Sequence, residues 1–371
     1  MRDMADVVIV GGGAAGCAVA YYLAQAGVKA TLIEREGIGM QASGYSAGGV
    51  NPLHGLAASM QPLAMASFKL HLGLWEELHQ TVGRDCQGRR IAMIKVAFDE
   101  ADVPALQEEL DVFAATPDFA AHWLDRAALR QLEPRLNPGV LQGVYLYGNG
   151  VVDSHLLTVL LAEAAQRYGA IIRAGTVRGL QKSHGRVTGV VLEDGTLACD
   201  TVVLAMGPWA QEAETWLGLT IPVRPLKGEI LRMALQGPEL AHDFASPEVS
   251  LFSRGSQVWC GATQEWCGFD KTPSAAARRT LLSEAIKLLP AIASATLVQH
   301  TACLRPVTAD WLPIVGQAPG WENVYLATGG EKKGILLSPA IGKAIADLIT
   351  TGSTPLDITP CTPQRFVAVS A

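Results

Sequence analysis

The sequence predicts a chain of the α/β plus antiparallel β (α+β) class, in which a parallel-sheet domain carries an inserted antiparallel sheet. Three stretches predict this class. Residues 6–34 read as a buried strand, a glycine-rich turn, a helix and a second strand. Residues 222–270 alternate short strands with turns, a pattern typical of antiparallel sheets. Residues 324–350 return to a strand, a glycine turn and a helix, which is expected from Pro339 to Thr350.

The first turn reads Gly-Gly-Gly-Ala-Ala-Gly from Gly11 to Gly16 and has the spacing of a dinucleotide-binding turn. Gly11 permits the tight turn, Gly13 lets a pyrophosphate approach the backbone, and Gly16 lets the helix pack close to the strand. The phosphates would lie at the positive end of this helix. Glu34 follows Gly11 by 23 residues, where a carboxylate accepts hydrogen bonds from the adenosine ribose. The pattern predicts a Rossmann-like domain; a tight turn in another kind of α/β protein is the alternative.

Bulk properties limit the function classes. The chain has 371 residues, 49% of them hydrophobic, which is enough for two or three domains. The net charge is −6 and no block of like charge stands out, so a nucleic-acid partner is not favoured. Seven scattered cysteines and no secretory signal predict reduced thiols in a cytoplasmic protein. The apolar N-terminal run is too short for a membrane span.

Between these stretches, apolar spacing predicts helices. They cover residues 57–82, 103–114, 126–132, 153–168 and 273–289. Asp153 or Ser154 is expected to cap the fourth helix. A loop rich in small residues, 37–52, can lie against a flat ligand because few side chains obstruct it. The run from Met206 to Trp209 ends a buried strand in a tight turn, which a ligand can approach closely.

Five segments now point to one family. They are Gly11–Gly16 with Glu34, Ala42–Gly44 with Ala47–Gly49, Val203–Trp209, Leu304–Asp310, and Ala327–Gly330 with Gly334–Pro339. Together they span nearly the whole chain, which resembles the FAD-dependent D-amino-acid oxidase family, including glycine oxidase and sarcosine oxidase-like enzymes. The resemblance implies a Rossmann-like FAD-binding domain with an inserted antiparallel-sheet substrate domain. The FAD-binding domain is expected at residues 1–85, 145–220 and 305–371, and the substrate domain at 86–144 and 221–304.

The resemblance also implies a set of cofactor-binding residues. Ser43 matches a residue that meets the FAD phosphates, and the backbone of Val177 matches one that meets the adenine. The turn at Gly329-Gly330 matches backbone that lines the flavin, although this family often has Gly-His there. Backbone N–H groups at a helix start can stabilise the negative charge of a reduced flavin. The full expected set is Gly11, Gly13, Ala14, Ala15, Gly16, Glu34, Arg35, Ser43, Ala47, Gly48, Gly49, Val177, Gly207, Trp209, Cys303, Gly329, Gly330, Gly334, Ile335 and Leu336.

Arg305 is the expected substrate-binding and catalytic residue. In glycine oxidase-like members, the Arg of Leu-Arg-Pro-x-Thr-x-Asp holds the substrate carboxylate, which a planar guanidinium suits. The alternative is a structural Arg305 that pairs with Asp310. The resemblance therefore implies oxidation of a small amino acid or N-substituted amine by hydride transfer to the flavin. Lys332 and Lys333 either add a cationic contact near the pocket or are solvated loop charges.

Three details stay open at this stage. Cys303 matches a position that bonds covalently to the flavin in the sarcosine-oxidising branch, but a buried free cysteine and non-covalent FAD are favoured. That branch also carries an oxygen-activating lysine on a strand, which residues 258–261 lack, so the acceptor is oxygen or a quinone. Trp259 and Trp266 either wall the pocket or belong to the core of the sheet.

Three other functions compete with amine oxidation. The same fold could oxidise a 2-hydroxy acid, with Arg305 in the same role. A related domain of a bacterial enzyme removes a carboxymethyl group from a tRNA wobble uridine, but the acidic balance argues against a tRNA substrate. A non-enzymatic flavoprotein is disfavoured because the flavin and carboxylate positions are both present. No metal site is expected.

Overall fold

A computed structural model of the chain describes residues 4–367. The chain divides into two compact units. The first unit contains the segment that ends at Gly88, Val152–Leu226 and the segment that begins at Leu304. The second unit contains Arg89–Val151 and Lys227–Cys303.

The described residues form both strands and helices. The strands are β1 (Met4–Val10), β2 (Ala30–Glu34), β3 (Gly49–Val50), β4 (Arg89–Ala97), β5 (Ala120–Leu124), β6 (Gln142–Val151), β7 (Ile171–Ala174), β8 (Val177–Ser183), β9 (Arg186–Leu192), β10 (Gly195–Leu204), β11 (Val223–Ala234), β12 (Asp243–Ala245), β13 (Ser250–Arg254), β14 (Gln257–Gly261), β15 (Thr296–Thr308), β16 (Ile314–Gln317) and β17 (Val324–Thr328). The α-helices are α1 (Ala14–Gln25), α2 (Ala42–Tyr45), α3 (Gln61–Val82), α4 (Val103–Ala115), α5 (Arg126–Leu132), α6 (Ser154–Arg167), α7 (Ala213–Leu217), α8 (Ala275–Leu288) and α9 (Gly334–Thr351).

The first unit is built on a mainly parallel sheet with the order β16-β17-β10-β1-β2-β7. Strand β1 runs parallel to both β2 and β10, so the ends of these strands meet at one edge. Such strands are buried on both faces, and Val8, Ile9 and Leu32 are fully buried. Helix α1 contacts both α6 and α9 in this unit. An apolar cluster around Val190, Val202 and others joins the β8–β9 hairpin to the sheet.

Two helix starts in this unit test the sequence predictions. Helix α6 begins at Ser154, and the Asp153 carboxylate accepts a hydrogen bond of 2.9 Å from the N–H of Leu156, so Asp153 is the cap. Helix α9 begins at Gly334, and the prediction that it starts at Pro339 is wrong. Pro339 lies inside the helix, because other residues replace the hydrogen bonds that proline removes.

The second unit contains the predicted antiparallel strands, with the order β11-β14-β13-β12-β4-β6 and β5 paired with β6. One pair, β12 with β4, is parallel. No hairpin can join these strands, because the whole segment Val152–Leu226 of the first unit lies between them in the chain. Leu231, Phe244 and Leu251 belong to a buried cluster on one face of this sheet.

One described helix, Glu331–Thr351, is long and apolar enough to cross a membrane. The most apolar 18 residues of this helix are 61% buried inside the fold. A core helix meets the same criteria of length and composition, so this helix alone is weak support for a membrane span.

Candidate cofactor and substrate site

The glycine turn of the first unit is closed by contacts that only glycine permits. Gly11 has a φ of +110°, and a Cβ atom there would lie 2.4 Å from the carbonyl oxygen of Ala205. A Cβ atom at Gly16 would lie 1.9 Å from the carbonyl oxygen of Gly11. Helix α1 therefore packs directly against the turn, as the spacing predicts.

The start of α1 is open and positive. The N-cap residue, Gly13, has no side chain of its own to cap the helix, and the first turn of α1 contains no acidic residue. The Ser43 hydroxyl accepts a hydrogen bond of 2.9 Å from the N–H of Ala14. Ala15 follows in the same turn. Free N–H groups and the helix dipole make this end suitable for an anion.

Glu34 lies at the end of β2, beside the glycine turn. One carboxylate oxygen accepts a hydrogen bond of 2.6 Å from the N–H of Gly12, and the other accepts one of 2.8 Å from the N–H of Glu36. The carboxylate thus links the turn to the segment after β2. Its half-buried position leaves one side open to a ligand.

The loop after β2 is anchored to the first unit by its backbone. The N–H of Gly39 donates to the carbonyl of Gly12 at 2.9 Å, and the N–H of Val152 donates to the carbonyl of Gly48 at 3.0 Å. Ala47, Gly48 and Gly49 lead from α2 into β3. These bonds hold the loop that contains Ser43 at the start of α1.

A second group of predicted residues lies at the ends of β2 and β10. The Arg35 guanidinium lies over the Trp209 ring, 4.5 Å from its centroid. Trp209 belongs to a short 3-10 turn that begins at Gly207. Val177, at the start of β8, is a core residue with 7% exposure, so its side chain is packed in the fold and the predicted adenine contact falls to its backbone.

The third turn, Gly329-Gly330, follows β17 and explains one departure from the family pattern. Gly330 is buried, and a Cβ atom there would lie 2.8 Å from the Cα of Gly334. The N–H of Lys333 donates to the carbonyl of Gly330 at 2.9 Å. A histidine at Gly330 would collide with the backbone of this tight turn.

Helix α9 follows this turn after one short 3-10 helix, Glu331–Lys333. It has no side-chain cap among the described residues and no acidic residue in its first turn. The Lys333 ammonium donates a hydrogen bond of 3.2 Å to the carbonyl of Asn51. This bond ties the Lys333 side chain to the loop after β2, and a cationic contact of Lys332 or Lys333 near the pocket stays a prediction. Gly334, Ile335 and Leu336 form the first turn of α9, and the last two are buried.

Arg305 lies half-buried on β15, and the chain after it is rigidly held. Asp310 forms a two-point ion pair with Arg365, with distances of 2.7 Å from Nε and 3.2 Å from Nη2. The Thr308 hydroxyl donates to the carbonyl of Leu312 at 2.7 Å. Burial acts to raise the pKa of Asp310, but the hydrogen bonds from Arg365 and its neighbours hold it below its usual value. The predicted alternative is a structural Arg305 that pairs with Asp310. In the structure, Arg365 forms an ion pair with this carboxylate.

Other predicted residues lie in the second unit. Cys303 is buried on β15, and all seven cysteines are free thiols. Trp259 lies on β14, where Arg232 stacks on its ring at 4.0 Å. Trp266 is 58% exposed and lies outside the strands, so a place in the sheet core is wrong for Trp266.

The second unit also contains a buried charge cluster that the sequence analysis did not anticipate. The Lys227 ammonium lies 2.9 Å from a Glu265 carboxylate oxygen and 3.4 Å from one of Glu229. His300 Nε2 lies 2.7 Å from the other oxygen of Glu229, which is fully buried. A fully buried carboxylate requires such partners. Within residues 4–367, no group of three or more His, Cys, Asp or Glu side chains is placed to hold a metal ion.

The fold and the glycine turn define a dinucleotide-binding protein of the Rossmann type. A protein-family profile described as DAO, FAD dependent oxidoreductase, matches residues 6–348. The chain therefore belongs to this family.

Relatives extend over nearly the whole chain. A glycine oxidase of Pseudomonas putida is 30% identical and covers 97% of this chain and 98% of that protein. A glycine oxidase of Geobacillus kaustophilus is 32% identical and covers 99% of this chain and 98% of that protein. The crystal structure of glycine oxidase from Geobacillus kaustophilus matches with a TM-score of 0.92 at 30% identity, covering 99% of this chain and 100% of that one.

These findings confirm the predicted family, fold class and cofactor. The chain is an enzyme, an FAD-dependent oxidoreductase of the amino-acid and amine oxidase type. The donor set fits FAD, because the N–H groups at the start of α1 suit a pyrophosphate and the Glu34 carboxylate at the end of β2 suits a ribose hydroxyl. Cytoplasmic location, the covalent link and the individual residue roles stay predictions.

Three residues that organise this region were absent from the sequence prediction. They are Arg365, Ser67 and His71. Arg365 carries no local signal, since its partner lies 55 positions away. Ser67 and His71 are one turn apart on the otherwise apolar buried face of α3, and this spacing is a signal that sequence reasoning can use.

Proposed function

We propose that this enzyme oxidises a small amino acid or N-substituted amine, of which glycine is the first candidate, and that Arg305 binds the substrate carboxylate. The near-full-length similarity to glycine oxidases at 30–32% identity carries this proposal. The substrate C–N bond becomes a C=N bond, with loss of two electrons and one proton as hydride and one proton from nitrogen. Water then hydrolyses the imine to an oxo acid and an amine or ammonia.

The first unit is the proposed FAD-binding domain, and the second unit is the proposed substrate domain. The open start of α1 and the Ser43 hydroxyl would hold the pyrophosphate, and Glu34 would hold the ribose. The backbone at Gly329, Gly330 and the first turn of α9 would line the flavin. Bound FAD supplies the electron acceptor for the hydride from the substrate α-carbon.

The proposed role of Arg305 is to orient the bound substrate. Its guanidinium can form two parallel hydrogen bonds with a carboxylate, which fixes the direction of the α-carbon. The Asp310–Arg365 pair and the Thr308–Leu312 bond support this role, because they hold the segment after Arg305 in one conformation. Oxygen is the proposed acceptor, since both relatives are named oxidases.

An anaerobic screen tests the substrate class. Purified holoenzyme is mixed with amino acids, N-methyl amino acids and 2-hydroxy acids, and loss of flavin absorbance is followed. Glycine or a close relative should bleach the flavin. Arg305→Ala should lower kcat/KM by about 30-fold or more, since loss of one partner of a charge-assisted pair costs about 2–5 kcal/mol. Arg305→Lys should restore only part of this loss because it lacks the planar fork.

Arg178→Ala is the matched control, since Arg178 pairs with Glu193 on the exposed hairpin of the first unit. It should keep wild-type kcat/KM. If only 2-hydroxy acids bleach the flavin, the proposed substrate class is wrong. If Arg305→Ala keeps full activity, Arg305 does not bind the substrate carboxylate. Peroxide formation on admission of air distinguishes an oxidase from an enzyme that needs a quinone.

A further inference from the structure

Helix α9 contains a proline that should break it. Pro339 is the sixth residue of the helix and has no N–H to donate to the carbonyl of Ile335. Its ring also displaces the preceding turn, and the N–H of Ala340 donates to a side chain, the Ser67 hydroxyl, at 3.1 Å. The first turn of α9 therefore lacks the hydrogen bond from residue 339 to Ile335, and Ala340 next to it donates to a side chain outside the helix.

Ser67 of α3 fills one of these gaps. Its hydroxyl accepts the bond from Ala340 and donates one of 2.6 Å to the carbonyl of Leu336. In a regular helix, Ala340 would donate to Leu336 directly. The Ser67 oxygen is inserted into that bond and preserves the connection across the proline. Ser67 is fully buried, so no water competes for these groups.

His71, one turn further along α3, fills the other gap. Its Nε2 lies 2.9 Å from the carbonyl oxygen of Ile335 and 3.2 Å from that of Leu336. Both partners are acceptors, so Nε2 must carry the proton and donate. The Ser338 hydroxyl adds a second donor to the Ile335 carbonyl at 2.9 Å. Desolvation in this fully buried position lowers the pKa of His71 to about 4, which keeps the ring neutral.

We propose that Ser67 and His71 are positioning residues that hold the first turn of α9, and thereby its open N–H groups, against the flavin. This proposal rests on the proposed placement of the flavin at the start of α9. Negative charge grows on the flavin when it is reduced, and fixed N–H dipoles stabilise that charge. Loosening the first turn would lower the affinity for reduced FAD more than the affinity for oxidised FAD.

The test measures the two-electron midpoint potential of the bound flavin by equilibration with a reference dye, and the Kd of FAD by titration of the apoprotein. Ser67→Ala and His71→Leu should each make reduction three- to tenfold less favourable, which is about 15–30 mV towards negative potential. His71→Gln should keep the wild-type potential, because its amide N–H can donate from nearly the same place. Dye reduction needs no substrate, so failure of the proposed amino-acid oxidation leaves this test intact.

Thr158→Val is the matched control. Thr158 is a fully buried hydroxyl of the same unit that donates to the carbonyl of Ser154 within its own helix. It should leave the potential unchanged. An unchanged potential in Ser67→Ala and His71→Leu, or an equal shift in the control, would overturn the proposal.

The Pro339→Ala variant provides a second, independent test of the proposal. It restores the N–H that Ile335 needs and lets Ala340 donate to Leu336 again. In this background Ser67→Ala and His71→Leu should lose more than half of their effect on the potential. If His71→Leu does not fold, Ser67→Ala in the two backgrounds decides the matter. Equal effects with and without Pro339 would contradict the proposed role.

Discussion

Helices α1 and α9 have the same setting in the first unit but are held in different ways. Each follows a strand of the parallel sheet and a glycine turn, and neither has an acidic residue in its first turn. The start of α1 is fixed by contacts of Gly11 and Gly16, within six positions of one another. The start of α9 is fixed by Ser67 and His71, which lie more than 260 positions away.

This difference has a physical consequence. A glycine contact is steric, so it is either present or lost, and pH does not affect it. Ser67 and His71 hold α9 by hydrogen bonds, and the imidazole of His71 can take up a proton. We therefore expect substitution of the α1 glycines to act in an all-or-none way and substitution of the groups that hold α9 to act by degrees.

The largest expected effect comes from Gly16→Ala. The added methyl group would lie 1.9 Å from the carbonyl oxygen of Gly11, which forces α1 away from the sheet. We expect a loss of about 3 kcal/mol or more in the free energy of unfolding and no flavin in the purified protein. Flavin absorbance and urea denaturation of the apoprotein measure both.

Gly73→Ala is the control for this substitution. Gly73 lies inside α3 with no atom within 4 Å of the position that a Cβ would take. Alanine is the better helix former by about 1 kcal/mol, so this variant should be stabilised and keep its flavin. If Gly16→Ala also kept FAD, the steric account of α1 would be wrong.

The next effect concerns pH and His71. The pKa of His71 is lowered from 6.5 to about 4 in the folded protein, so the fold holds the neutral ring. Its stabilising contribution is complete above pH 6.5 and is lost as the pH falls from 6.5 towards 4. The free energy of unfolding lost over this pH range is about 3 kcal/mol, because one pKa unit corresponds to about 1.4 kcal/mol.

The measurement is the free energy of unfolding of the apoprotein of wild type and His71→Leu between pH 4.5 and 7.5. The variant should be less stable at pH 7.5, and the difference should shrink as the pH falls. A difference that is constant over this range would show that His71 does not titrate in the fold.

The smallest expected effect is at Ser43. Ser43→Ala removes the hydrogen bond that the N–H of Ala14 donates at 2.9 Å. Loss of such a bond at a helix start costs about 1 kcal/mol, so the Kd of FAD should rise about fivefold while the fold is kept. Ser183→Ala, on the exposed β8–β9 hairpin, is the control and should bind FAD like wild type. A loss of all flavin in Ser43→Ala would mean that α1 is not held by its glycines alone.

Much of the first unit was predictable because its signals are local. The turn from Gly11 to Gly16 combines strand, helix and carboxylate at fixed spacing, and the cap at Asp153 precedes its helix directly. Steric exclusion and capping act over a few residues, so they leave a pattern in the sequence. The family resemblance added FAD and the role expected of Arg305.

The errors have non-local causes. A proline normally marks the first turn or the end of a helix, so Pro339 was placed at the start of α9. The true start at Gly334 depends on hydrogen bonds from α3. The sheet core, one of the two alternatives for Trp266, is also wrong, because the exposure of this side chain depends on where the chain leaves the strands.

The sequence by itself determined the class of the protein, because the strand, glycine turn, helix and carboxylate of a dinucleotide-binding unit lie next to one another in the chain. The tertiary structure decided which distant groups complete each element. It paired Arg365 with Asp310, brought Ser67 and His71 to the gap at Pro339, and buried Glu229 beside Lys227. A buried polar group needs a partner at hydrogen-bond distance, and which residue supplies it is fixed only when the chain has folded.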